Sequence, residues 1–236
     1  MDKTINEDLI YNTSSRLPMC FCIDTTLEKS VLTQIELGLI SMHNYIGKKD
    51  GLRESSEVAI VTFDNLSAVL HDYMSYEQFK GIELNNSKLG SDFGDVSSGI
   101  TNSIDLLQKR KKLYNVHGVD YYKPWLVIIT DGKPIPKICK KKTAAARKKL
   151  LALEKSNKLT IVTIYINDDS LNCNLTDINL KMKEKIVKFS KKVEPQVIRK
   201  NKIINFFTWF TKSIETTAFT DEIKLDFTGL TDWEDI

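Results

Sequence analysis

Two apolar runs, far apart in this chain, each end in an acid. The first is Met19-Cys20-Phe21-Cys22-Ile23-Asp24, and the second is Trp125-Leu126-Val127-Ile128-Ile129-Thr130-Asp131. Neither run alternates apolar with polar residues. Both therefore read as strands covered on two faces, the pattern of a parallel sheet inside an α/β domain. The C-terminal end of such a strand lies at the edge where open α/β sheets bind ligands. Two carboxylates with neighbouring hydroxyls at that edge suit a hard cation such as Mg2+.

The rest of the chain alternates in the same way. Val31, Leu32, Ile35, Leu39, Met42 and Ile46 form one stripe of a helix over 28–46, which Gly47-Lys48-Lys49-Asp50-Gly51 ends. A strand follows at 57–63, with a short antiparallel edge strand at 67–71. Ile100, Ile104, Leu107 and Leu113 space a helix over 95–113, whose Lys109-Arg110-Lys111-Lys112 suits a helix C-terminus. Beyond the strand at 125–130 come a helix at 141–156, a strand at 159–165, a helix at 175–190, a strand at 196–200 and an aromatic-rich helix at 202–215. This order gives a doubly wound, Rossmann-like α/β fold: a mostly parallel central sheet with helices on both faces. Residues 1–17 read as a lead-in, 18–216 as the domain, and 217–236 as an acidic, aromatic tail.

Composition narrows the function classes. The 34 basic and 31 acidic residues leave a net charge of +3, too even to argue for nucleic acid. The basic segment Lys137, Lys140, Lys141, Lys142, Arg147, Lys148 and Lys149 reads as a solvated helix face, with Ala144, Ala145, Leu150, Leu151 and Leu153 turned inward. Cys20, Cys22, Cys139 and Cys173 form no C-x-x-C pair. They suit a reducing cytosol, with Cys20 and Cys22 packed as small hydrophobes. The polar N-terminus is no signal peptide and no stretch has the length of a membrane span, so a cytoplasmic protein is expected. His43, His71 and His117 fall in separate segments, and no G-x-S-x-G elbow or P-loop occurs.

Arg16-Leu17-Pro18-Met19 running into Asp24-Thr25-Thr26 resembles the opening of a von Willebrand factor type A (VWA) domain. The stretch Gly118-Val119-Asp120-Tyr121-Tyr122-Lys123-Pro124-Trp125-Leu126, with Thr130-Asp131-Gly132-Lys133-Pro134, is similar to the bacterial TerY/YegL-like branch of that family, as is Phe206-Phe207-Thr208-Trp209-Phe210. The resemblance covers about residues 16–215 and leaves out the tail. It implies a metal-ion-dependent adhesion site for Mg2+ or Mn2+. The family pattern is Asp-x-Ser-x-Ser after the first strand, a Thr in a later loop and an Asp after the fourth strand. The first Asp falls at Asp24, the first Ser at Thr26, the second Ser at Glu28, the loop Thr at Ser91 and the last Asp at Asp131. Glu28 is the departure. It either binds the metal within the chain, in the partner's place, or turns outward. Glu28, Asp92 and Lys133 are the candidate partner contacts.

The resemblance implies a non-enzymatic protein-binding module in a bacterial stress-response or defence setting. Tellurite resistance and phage defence are examples, and a protein kinase and a PP2C-type phosphatase encoded nearby are candidate partners. The alternative is a Mg2+-dependent phosphoester hydrolase using the same carboxylates. Nucleic-acid binding through the Lys-rich helix is a weaker alternative, without aromatic interleaving to stack bases.

Overall fold

The computed structural model describes residues 9, 11–79, 82–84, 94–133, 137–167 and 187–217. Among the described residues, six strands form one sheet: β1 (Leu17–Asp24), β2 (Ser56–Phe63), β3 (Ser67–Ser75), β4 (Trp125–Thr130), β5 (Thr160–Asn167) and β6 (Gln196–Arg199). Their order is β3-β2-β1-β4-β5-β6. All neighbours pair in parallel except β3, which is antiparallel to β2 at one edge. Among the described residues, the α-helices that accompany them are α1 (Lys29–Ile46), α2 (Asp50–Ser55), α3 (Val96–His117), α4 (Lys140–Lys155) and α5 (Ile203–Thr217), the last preceded by a 3-10 turn at Lys200–Lys202.

Every residue of β1, β2, β4 and β5 is buried. Alternate residues feed two cores, because successive side chains of a strand point to opposite faces. Leu17, Met19, Phe21 and Ile23 join Trp125, Val127 and Ile129 against α1 and α5. Cys20 and Cys22 join Val61, Ile128 and Ile161 against α3 and α4, as small apolar side chains. The aromatic residues of α5 fill the first core: Phe21 lies 5.7 Å from Phe207 and 5.6 Å from Phe210, ring centre to ring centre.

Several boundaries move. The segment around Asp50 and Gly51 does not merely end α1. It opens the short α2, in which Asp50 pairs with Arg53 at 3.1 Å. β3 extends to Ser75, because Glu57 and Val58 keep pairing with Ser75 and Met74. On α4 the buried residues are Thr143, Ala146, Leu150 and Glu154, so the inward stripe sets Ala144 and Ala145 outside with the exposed lysines. Glu154 belongs inside because its carboxylate accepts bonds from the Ser190 hydroxyl and from the backbone N–H of Lys191 at 2.8 Å. Most of the helix expected at 175–190 lies outside the described residues, and its last four positions, 187–190, are irregular. Most of the lead-in, 1–8, and the tail from 218 onward also lie outside them.

Candidate functional site

The C-terminal ends of β1 and β4 are adjacent, so Asp24 and Asp131 arrive at the same edge. Asp24 closes β1 and is 3% exposed. Its Oδ1 accepts from the backbone N–H of Thr26 at 3.0 Å and from the Thr26 hydroxyl at 2.7 Å. Its Oδ2 accepts from the Thr130 hydroxyl at 2.7 Å. Gly94 passes so close that a Cβ there would stand 3.0 Å from Oδ2. Burial pushes the Asp24 carboxyl above its usual range; the bonds from Thr130 and Thr26 oppose the shift, and the charge of Asp131 adds to it.

Asp131 follows β4. Gly132 has φ +70°, in the left-handed region that glycine tolerates best, and this turns the chain back on itself. As a result the Lys133 backbone N–H donates to Asp131 Oδ1 at 2.9 Å, and the Lys133 ammonium meets Oδ2 at 2.8 Å. The bond to Asp131 holds the Lys133 ammonium above its ordinary range, partly offset by burial, and the charges of Asp131, Asp24 and Glu28 add to it. Lys133 thus lies within the field of all three acids at this edge.

Glu28 is the residue before α1. It makes no side-chain cap there. Its carboxylate is 61% exposed and pairs with Lys200 Nζ at 3.1 Å, just beyond β6, while the Ser30 hydroxyl donates to the same oxygen at 3.3 Å. The Glu28 side chain thus faces solvent and Lys200. Ser91 and Asp92 lie outside the described residues. The neighbouring Asp95 caps α3, accepting from the backbone N–H and hydroxyl of Ser97.

The fit of this donor set to a divalent ion turns on how its oxygens are used. Asp24 is committed to Thr26 and Thr130, Asp131 to Lys133, and Glu28 to Lys200. Among the described residues, no group of three or more His, Cys, Asp or Glu side chains is placed to hold a metal ion.

Sequence reasoning missed Thr130 and Lys200. Thr130 was visible as the residue before Asp131, but its bond across to β1 depends on strand pairing. Lys200 lies 172 positions from Glu28, and no local pattern links them. Two exposed apolar residues, Leu66 and Ile138, flank the same edge, one in the β2–β3 turn and one just before α4.

No protein-family model matches the sequence, and no curated protein matches it. Solved structures do resemble the fold. BatB, a conserved hypothetical protein from Bacteroides thetaiotaomicron, superposes with a TM-score of 0.51 at 13% identity, over 86% of this chain and 100% of that one. The PilB minor pilin of Streptococcus sanguinis gives 0.56 at 8% identity, over 87% of this chain and 63% of the pilin. The pilus adhesin SpaC of Lactobacillus rhamnosus GG gives 0.52 at 12% identity, over 86% of this chain and 31% of the adhesin. At these identities the likeness speaks for architecture alone. With the strand order and the helices on both faces, it establishes that this chain has the fold of a von Willebrand factor type A domain.

Proposed function

We propose that this protein is a non-enzymatic binding module that engages a protein partner at the C-terminal edge of its sheet. One observation carries the reading. Asp24, Asp131, Lys133, Glu28 and Lys200 gather at the edge where open α/β sheets bind, and exposed Leu66 and Ile138 flank them. Apolar residues beside charged groups suit a protein surface better than a small substrate. That a pilin and a pilus adhesin share the fold is in keeping with this. The TerY-like stretches Gly118–Trp125 and Phe206–Phe210 support a bacterial stress-response or defence setting of the tellurite-resistance kind, with a protein kinase and a PP2C-type phosphatase as candidate partners. A cytosolic location is in keeping with free, buried Cys20, Cys22 and Cys139. No helix among the described residues is long and apolar enough to cross a membrane.

The test is affinity capture from cells of the source organism, with three baits run side by side. The wild type and a Lys155→Ala variant, altered at the far end of α4, should retain the same partner. A Leu66→Asp/Ile138→Asp variant should lose it while melting at the same temperature. Equal capture by all three would overturn the edge as the binding face. Phosphoester hydrolysis that requires Mg2+ and disappears in Asp24→Ala would replace the binding reading with the enzymatic one.

A further inference from the structure

We propose that Lys133 and Lys200 take the place of a divalent ion at this edge, so that the site works as a lysine-neutralised, metal-independent surface. The inference deepens the binding reading above and rests on it for its biological meaning, but it is testable without any partner.

The geometry assigns Asp131 and Glu28 each their own cation from within the chain. Lys133 Nζ stands 2.8 Å from Asp131 Oδ2, and Lys200 Nζ stands 3.1 Å from Glu28 Oε2. Neither lysine is a chance neighbour. Lys133 is returned to Asp131 by the turn at Gly132, and its own backbone N–H occupies the other oxygen of that carboxylate. Lys200 opens the 3-10 turn that joins β6 to α5, and its partner Glu28 sits at the start of α1, the helix packed on α5.

Charge counting gives the consequence. Asp24, Glu28 and Asp131 supply three negative charges, and Lys133 and Lys200 supply two positive ones, leaving −1 when all are ionised. A divalent ion added to this set would bring the edge to +1 and force two ammonium groups to share it. Mg2+ demands near-octahedral oxygen ligands and dehydrates reluctantly. Here it would have to displace the Lys133 ammonium from Asp131 and the Lys200 ammonium from Glu28. The exposed ion pairs add little to folding stability. Their effect is to set the local charge without a metal.

The experiment uses the full chain with Mg2+ or Mn2+ alone, read by titration calorimetry and by thermal melting with and without EDTA. Wild type should give no saturable heat at millimolar metal and an unchanged melting temperature. Lys133→Met frees Asp131 and should gain Mn2+ binding, tightened about tenfold or more over wild type, because one competing cation at contact distance is gone. Lys133→Arg, which keeps the charge, should behave as wild type. Saturable Mg2+ binding by wild type that Lys133→Met leaves equal or weaker would overturn the proposal. Should Lys133→Met fold poorly, Lys200→Met with Lys133→Arg as its control gives a second reading: metal affinity rises in the first and not in the second if the lysines are the counter-cations. A wild type that binds metal while its edge variants still lose the partner would sink this inference and leave the binding function standing.

Discussion

Asp24 is a carboxylate held 3% exposed, accepting from Thr26 and Thr130 and, among the described residues, making no direct ion pair. Burying a charge on hydrogen bonds alone is costly, and such residues persist where function needs them. Asp24→Asn keeps the shape and removes the charge. Its amide oxygen still accepts from Thr26, and the Thr130 hydroxyl can turn to accept from the new amide nitrogen. We expect Asp24→Asn to raise stability by about 1–2 kcal/mol in urea denaturation at neutral pH while weakening partner capture. A loss of stability would mean that the ionised carboxylate is itself structural. The histidines make a second point at this scale. Sequence spacing keeps His43 and His71 apart, yet both rings lie against Phe79, at 5.5 and 6.3 Å, and His43 also stacks on Tyr76 at 4.2 Å. Burial lowers both imidazoles below their ordinary 6.5, with Glu77 opposing the shift at His43. The folded protein therefore binds fewer protons than the unfolded chain in mild acid. This contribution to stability is complete above 6.5 and is lost as the pH falls through that value toward the folded ones. A His43→Gln/His71→Gln protein should show a flatter fall in denaturation midpoint from neutral to mildly acid pH than wild type; parallel slopes would remove the histidines from the acid response.

At the scale of elements, the packing of α1 on α5 sets one face of the sheet. Gly38 is the point of closest approach: a Cβ built there would stand 2.1 Å from Phe207 Cδ2. Phe207 cannot simply turn away, because its ring also packs against Phe21 and Phe206. Gly38→Ala would have to push α5 outward. Overpacking of this kind costs about 1–3 kcal/mol, partly offset by the better helix propensity of alanine. A melting temperature equal to or above that of wild type would show that the interface has slack. Periodicity could place α1, yet it could not show Gly38 as a contact, since glycine carries no hydropathy signal and its neighbour is 169 positions away. The same limit runs through the whole fold. The four buried strands were legible because β1, β2, β4 and β5 are apolar on both faces, and α1 because its stripe runs unbroken. α2 was hidden by Gly51, a residue that reads as a helix breaker. The inner face of α4 was misjudged because Ala144 and Ala145 count as apolar while Glu154, buried by its bonds to Ser190 and Lys191, counts as polar. At the site, Asp24, Thr26 and Asp131 were legible as strand-end residues. The pairing of Glu28 with Lys200 was not, because it joins two elements through tertiary packing alone.

Across the whole molecule, the two ends of the sheet are built differently. The C-terminal edge carries exposed ion pairs, whereas the opposite edge carries a buried one. Glu57, near the start of β2, is fully buried and accepts from Arg110 Nε at 2.8 Å, from Arg110 Nη2 at 2.6 Å and from the Tyr114 hydroxyl. Arg16, also fully buried, brings its Nε within 3.4 Å of the same carboxylate. The arrangement joins the entry to β1, the start of β2 and the end of α3. The chain around Asp120 completes it: the Arg16 backbone N–H donates to the Asp120 carbonyl at 2.8 Å, and Tyr121 stacks on Tyr114 at 5.2 Å. Much of the stretch Gly118–Pro124 is thus tied to this buried end and not to the edge at Asp24 and Asp131. Its residues serve the architecture, and fold-level likeness does not by itself specify what the other edge binds. Removing one partner from a buried ionic network leaves the others uncompensated, at a cost of about 3–5 kcal/mol. Glu57→Gln, which removes the carboxylate charge from beside two buried guanidinium groups, should therefore destabilise the protein by about that much. The edge at Asp24 and Asp131 lies at the other end of these strands, so partner capture by the folded fraction should match wild type. Asp24→Asn should do the reverse, with higher stability and weaker capture. Denaturation and capture measured on both variants test the division directly: if Glu57→Gln also loses the partner at a temperature where it is fully folded, the two ends are coupled through β1 and β2, and the division between a stabilising edge and a binding edge does not hold.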